Sequence, residues 1–288
     1  MSEAMTDYEQ IRYERRGPVA VITIERPERM NAIGARTHRE LVDAWTRFRD
    51  DETALVGILT GAGDRAFCAG GDLKSLADGE PVGPTSLEEV DAHNRGERPG
   101  ILGPSRWTDL CKPTIAAVNG VAYAGGLEWV CWCHLAIADE HASFGVTCRR
   151  WNIGLADGGT QRLPRIVGWR RAMELIVTGR VIDASEAHEI GLVNEVTPSG
   201  SCLDRVLELA NQIAELPQPA IRTDLEAAER GWGQPLDEGL RIEAECFNRL
   251  LSEPEILEGL RRFNERDHPD RDPAAPPTTP GLRRSGDG

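Results

Sequence analysis

Thr114–Ala138 reads TIAAVNGVAYAGGLEWVCWCHLAIA. Its apolar length approaches that of a membrane span. However, it contains Glu128, His134 and the turn dipeptide Asn119-Gly120, which a bilayer core disfavours. A buried strand over Thr114–Val118, a glycine-rich turn and a buried helix from about Leu127 account for the stretch better. Adjacent Gly125 and Gly126 lie where strand gives way to helix, and a turn of that kind leaves backbone N–H groups facing outward at the positive end of the helix dipole.

The same design occurs upstream. Ala54–Leu59, ALVGIL, suits a buried strand, and Ala66–Asp72, AFCAGGD, ends in a glycine pair that opens a second helix, DLKSLAD. Nearer the N-terminus, Ile11–Glu14 and Val19–Ile24 read as a β-meander around the turn signal Arg16-Gly17-Pro18. A helix follows from Thr37, with Leu41, Val42, Trp45 and Phe48 at helical spacing. Gly79 to about Arg106 is rich in Gly, Pro and charge and reads as a surface insertion. Downstream, LAIADEHASFG supplies a short strand, and helical patterning covers Gln161–Arg165, Trp169–Thr178 and Ala184–Ile190. From Leu203 the pattern is helical until PDRDPAAPPTTPGLRRSGDG, which lacks apolar periodicity and is expected to be disordered. The expected organisation is an α/β core over residues 1–200, a helical subdomain over 201–266 and a disordered tail over 267–288.

Composition narrows the function. The 288 residues carry a net charge of −14, which argues against a nucleic-acid partner because phosphate neutralisation needs a basic surface. The N-terminal residues are polar and lack the apolar core of a secretory signal. Seven cysteines, an odd number, point to free thiols in a reducing compartment, so a cytoplasmic protein without a membrane partner is expected. Cys131, Cys133 and His134 lie close in sequence, but on one buried helix they point in different directions, so no metal site is expected.

A glycine pair at a strand–helix junction usually serves a tight turn or close packing, but two such turns about fifty residues apart are harder to dismiss. Two converging N–H groups make an oxyanion hole for an enolate or a tetrahedral intermediate. Together with RPERMNA (Arg26–Ala32), AFCAGGDL (Ala66–Leu73), PTIAAVNGVAYAGGLE (Pro113–Glu128), GGTQRLPRIVG (Gly158–Gly168) and LIVTGRVIDASEAHEIGLVNEV (Leu175–Val196), they make the chain resemble the crotonase, or enoyl-CoA hydratase/isomerase, superfamily over about Ile11 to Phe263. The resemblance implies an α/β spiral of ββα units with a C-terminal helical subdomain, a homotrimer or a dimer of trimers, and an acyl-CoA thioester as substrate with no further cofactor.

Carried over residue by residue, the oxyanion-hole donors fall on the amides of Gly71 and Gly125. The CoA-binding stretch falls on Asn31, Ala32, Ala69, Asp72 and Lys74, although Lys74 also suits a solvated surface position. Glu128 matches the first catalytic glutamate of the hydratases, three residues after Gly125 and so one turn along the same helix. The alternative is a helix-terminal glutamate facing water.

The second hydratase glutamate is absent, and its place is taken by Cys148. A thiol is a poor acid for protonating a carbanion, and it would be a nucleophile only if a base activated it. Asp157 resembles a catalytic aspartate of the dienoyl-CoA isomerase branch, whose further carboxylate falls on Arg149 or Arg150 here. Asp157 suits a helix cap equally well, and the two arginines could instead pair with it. The resulting expectation is an enoyl-CoA hydratase-like enzyme. The alternatives are an enoyl- or dienoyl-CoA isomerase using Glu128 and Asp157, thioester hydrolysis or C–C cleavage, and a catalytically weak acyl-CoA-binding scaffold.

Overall fold

The computed structural model describes residues 8–79, 86–94 and 100–264. The expected disordered tail and parts of the 79–106 insertion lie outside these residues. Among the described residues, ten strands form two sheets. The first has the order β1-β2-β3-β5-β7-β10 and the second β4-β6-β8-β9. β1 (Ile11–Arg16) and β2 (Val19–Ile24) form an antiparallel hairpin around Gly17. β3 (Val56–Gly61) then pairs with β2 in parallel, so the N-terminal region is a hairpin feeding a parallel sheet and not a meander. The connection that makes parallel pairing possible is α1 (Ala35–Asp50), a crossover helix that buries Leu41, Trp45 and Phe48.

From β3 onward the chain repeats one move. It contributes a strand to the first sheet, a short strand to the second, and then a helical segment. β3 is followed by β4 (Ala66–Cys68) and α2 (Leu73–Ala77). β5 (Thr114–Val118) is followed by β6 (Val121–Tyr123) and α4 (Gly125–Trp132). β7 (Leu135–Asp139) is followed by β8 (Ser143–Gly145) and a 3-10 turn over Thr147–Trp151. β3, β5 and β7 are parallel, and so are β4, β6 and β8. This is the expected ββα spiral. The second-sheet strands have only three residues each, too short for any apolar period to register in the sequence.

The inner strands β2, β3, β5 and β7 of the first sheet are buried on both faces, which explains their near-continuous apolar sequences. Ala20, Ile22 and Ile24 of β2 face a core shared with α1 and α4. Val19 and Val21 face α8 (Cys202–Ala214), which covers the other side through Cys202, Val206, Leu209 and Ala210. α8 thus packs as a layer of the α/β unit, although the sequence reading groups it with the C-terminal helices.

α5 (Gly159–Val167), α6 (Trp169–Thr178), β9 (Val181–Asp183), α7 (Ala184–Glu189) and β10 (Glu195–Thr197) complete the α/β part. α9 (Gln218–Gly231) and α10 (Leu236–Leu250) form a helical hairpin, followed by α11 (Pro254–Asn264); α3 (Leu87–Asn94) lies within the insertion. Among the described residues no helix is long and apolar enough to cross a membrane.

Candidate active site

The two glycine turns lie at the C-terminal ends of β4 and β6, which are adjacent parallel strands. Each turn therefore leaves the sheet beside the other. Gly70 has φ +93°, and a Cβ on it would lie 2.8 Å from the Gly125 nitrogen and 3.0 Å from the Tyr123 carbonyl oxygen. Only a residue without a side chain lets the first turn press against the second. A Cβ on Gly126 would run into the Cys68 carbonyl oxygen, so helix α4 is seated on β4 equally closely. Ala124, just before the helix, holds φ +49°, a costly conformation for a residue with a Cβ and one that collects at functional turns.

The geometry leaves both expected amides available. Gly71 bridges to Ile33, but the bonds run from Ile33 N–H to Gly70 O (2.8 Å) and from Asp72 N–H to Ile33 O (2.9 Å). The N–H of Gly71 itself faces the other way. Gly125 is the first residue of α4, whose opening N–H groups have no partner within the helix.

Glu128 is 3% exposed, so the alternative of a helix-terminal glutamate in water is ruled out. Its Oε1 accepts the backbone N–H of Asp157 and that of Gly159, each at 2.8 Å. Gly159 is the first residue of α5, so Glu128 caps that helix from a distant part of the chain. A Cβ on Gly159 would sit 2.8 Å from Glu128 Cγ, which explains glycine there. Burial pushes the Glu128 carboxyl up to about 7, the charge of Asp157 pushes the same way, and the backbone N–H groups oppose both.

Asp157 is 1% exposed, and its carboxylate turns away from α5. Oδ1 accepts the Leu102 N–H at 3.2 Å and the Ser105 hydroxyl. The helix-capping alternative for Asp157 is thereby corrected, because Glu128 holds the N–H it would have taken. Burial raises the Asp157 carboxyl above its usual range, against the Ser105 and Leu102 bonds. Neither arginine reaches it: Arg149 donates to the Ile176 and Ile153 carbonyls, and Arg150 is exposed.

Cys148 is buried on the 3-10 turn, and burial raises its thiol pKa. Glu128 raises it further and Arg149 lowers it, which places the thiol within electrostatic reach of Glu128 as a neutral group. His134, between α4 and β7, ties that junction to Thr114 and to the C-terminal helices. It accepts the Thr114 N–H at Nδ1 (3.0 Å), so Nε2 carries the proton and donates to Glu229 of α9 (2.9 Å). Among the described residues no group of three His, Cys, Asp or Glu could hold a metal.

The expected CoA-binding residues divide by role. Asn31 is fully buried, donates to the Ala62 and Ala66 carbonyls (3.0 and 2.6 Å) and accepts the Arg26 N–H (3.0 Å). Ala69 N–H donates to Met30 O at 3.0 Å, and Ala32 O accepts from Arg26. Asp72 caps α2 and pairs with Arg26 at 2.9 Å. Burial alone would raise its carboxyl, but Arg26 and the Ser75 and Lys74 amides hold it below its usual range. These residues shape the backbone beside the glycine turns, whereas Lys74 is exposed.

Residues that sequence reading passed over complete the site. His38 Nδ1 lies 2.9 Å from Ile101 O and 3.0 Å from Gly103 N. Arg162 donates to the carbonyls of Ser105 (2.6 Å), Asp157 (3.1 Å) and Trp107 (3.3 Å). Together with Asp157 they pin Gly100–Trp107 over the glycine turns. Apart from the Arg162–Asp157 bond, their contacts join residues more than fifty positions apart, and nothing local announces them. Behind this wall a cavity of about 1620 Å³ opens between α4–α5 and the α9–α10 hairpin, bounded by Trp107, Trp132, Ala156, Trp232, Leu236 and Phe247.

A model of the enoyl-CoA hydratase/isomerase family matches residues 14–272. The chain is 36% identical over 262 residues to a crotonyl-CoA hydratase of Syntrophomonas wolfei, covering 90% of this chain and 96% of that protein. It is 34% identical to an (E)-benzylidenesuccinyl-CoA hydratase of Thauera aromatica, covering 87% of this chain and 94% of that protein. Among solved structures, an enoyl-CoA hydratase from Mycobacterium tuberculosis superposes with a TM-score of 0.80 at 33% identity, covering 89% of this chain and 96% of that one.

Proposed function

This chain belongs to the enoyl-CoA hydratase/isomerase family, and from that premise we propose that it adds water to a 2-enoyl-CoA thioester with Glu128 as its working acid–base group. The observation that carries this reading is the buried Glu128 carboxyl, raised to about 7 and placed one helical turn from the Gly125 amide. The thioester oxygen lies between the Gly71 and Gly125 N–H groups, which stabilise it as negative charge develops. Glu128 takes a proton from water as the water oxygen bonds to C3, and C2 gains the electron pair as an enolate. A proton then bonds to C2.

With a neutral thiol at position 148, the group suited to return that proton is Glu128 itself. A carboxyl with pKa near the working pH is suited to both halves of the transfer. The buried charge of Asp157 helps to keep it there, so Asp157 tunes Glu128 and does not compete for substrate. The stretch around Asn31, Ala32, Ala69, Asp72 and Lys74 receives the CoA part, and the reaction needs no cofactor beyond its thioester.

A homotrimer or dimer of trimers is supported by Trp232, Leu236, Leu240 and Phe247, large apolar side chains exposed together on the C-terminal hairpin. Seven free cysteines support a cytoplasmic location.

The deciding experiment is mass spectrometry of a 2-enoyl-CoA incubated with the purified protein. Gain of one water supports hydration. Product of unchanged mass with a displaced double bond supports isomerisation, the second reading, which Cys148 favours because one carboxylate suffices to move a proton between two carbons. No conversion of any enoyl-CoA overturns both.

A further inference from the structure

Leu102 occupies a position that the reaction scheme does not use. It is 4% exposed, although it belongs to a turn and not to a strand or helix. One of its methyl carbons would lie 3.3 Å from a Cβ on Gly125, and 3.9 Å from one on Gly71. Its isobutyl group therefore lies against both amide-bearing glycines. Its own N–H is held by Asp157, whose neighbour in charge is Glu128. Its side chain thus lies at the two glycines assigned to the thioester oxygen, while its backbone is tied to Asp157.

The turn that carries it is fixed at four points: by Asp157 at Leu102 and Ser105, by His38 Nδ1 accepting the Gly103 N–H at 3.0 Å, by Arg162 at Ser105 and Trp107, and by Arg106 donating to Ala156 O at 2.7 Å. Leu102 cannot drift aside without breaking buried bonds. We infer that Leu102 is a specificity-determining residue that restricts the enzyme to thioesters unbranched at C2, the carbon next to the carbonyl. The inference rests on the proposed acyl-CoA reading. A C2 methyl has to occupy the volume that Leu102 fills, and pinned apolar walls of this kind discriminate single methyl groups by roughly 10- to 200-fold.

The test measures binding first, so that it stands apart from turnover. Calorimetric Kd values for butyryl-CoA and 2-methylbutyryl-CoA are compared in the wild type, Leu102→Ala and Leu102→Val. The wild type is expected to bind the unbranched ester at least tenfold more tightly, with the ratio falling stepwise toward one through Leu102→Val to Leu102→Ala. The same order is expected in kcat/KM for crotonyl-CoA against 2-methylcrotonyl-CoA. Equal binding of the two saturated esters by the wild type, an unchanged ratio in a folded variant, or no binding of either ester overturns the inference. If the ratios behave as expected while no enoyl-CoA is converted, the catalytic reading fails and the assignment of Leu102 stands. Leu102→Val keeps most of the packed volume and supplies the answer if Leu102→Ala does not fold.

Discussion

The Asp157 backbone N–H donates to Glu128 Oε1 at 2.8 Å while the Asp157 side chain faces a different element and accepts from Leu102 and Ser105. One residue thus holds Glu128 in place with its amide and raises its pKa with its carboxylate charge. The expected consequence is a rate that rises with pH through about 7 as Glu128 deprotonates, visible as the acidic limb of kcat/KM. A limb near pH 4.5 would show that the base is solvated or is another group.

Glu128→Gln keeps the shape of the side chain and an oxygen for the two N–H donors, so the protein should fold and retain acyl-CoA affinity while kcat falls by about 10²–10⁴-fold. Its effect on stability has the opposite sign. The Glu128 pKa is raised on folding, so the folded chain holds its proton more tightly than the unfolded chain, and stability declines from about pH 4.5 to about pH 7. Gln lacks that penalty. Above pH 7 the variant should therefore be more stable than the wild type, by at most about 3 kcal/mol, with the gap closing toward pH 4.5. Denaturant midpoints at pH 5 and pH 8 check this.

Asp157→Asn removes a charge that raises Glu128, so the acidic limb of the rate profile should move to lower pH. Asp157→Ala should in addition cost about 1–3 kcal/mol, because the Leu102 N–H and Ser105 hydroxyl lose a buried acceptor. A pH profile identical to the wild type in the Asn variant would show that the two carboxylates do not interact.

How far the site could be read from sequence follows the range of its contacts. Glu128 and Gly125 share one helix, and their spacing already placed them together. The glycine pairs marked both turns, because a left-handed backbone at Gly70 leaves a local trace. The ββα alternation left almost none beyond the resemblance to a family, since strands of three residues hold no period. What was hidden entirely is the support: Ser105, Leu102, His38 and Arg162 act through pairs far apart in the chain, and an Asp ahead of Gly-Gly looks the same whether it caps a helix or anchors a distant turn. Geometry shows that Glu128 does the capping.

Gly70→Ala should be severe for its size. The added methyl meets the Gly125 nitrogen and the Tyr123 carbonyl at a positive φ, so one oxyanion donor is displaced and the backbone is strained. Loss of one such donor costs about 10²–10³-fold in kcat. The expected signature is a fall in kcat larger than any rise in KM, together with a lowered melting temperature.

Cys148→Ser should leave kcat within about threefold of the wild type, since a neutral buried thiol raised in pKa is neither nucleophile nor acid at working pH. Native protein at pH 7.5 should likewise resist iodoacetamide at Cys68 and Cys131, whose thiols burial pushes up to about 12. Peptide mapping after native and denatured labelling reads both sites.

β4 and β6 carry the two donors as neighbouring strands whose register shifts between Ala66 and Cys68. The distance between the donors is therefore set by strand pairing, much as a calliper is set by its slide, and by the bare glycine at position 70 that lets the two turns meet. A residue inserted or deleted in Ala66–Cys68 or Val121–Tyr123 would turn one amide out of line, whereas length changes in the 79–100 segment leave both in place. The fold thereby separates the part that fixes the chemistry from the part that is free to vary with the acyl group. Libraries aimed at new substrates belong in the turn around Leu102 and the segment preceding it, with both three-residue strands held constant.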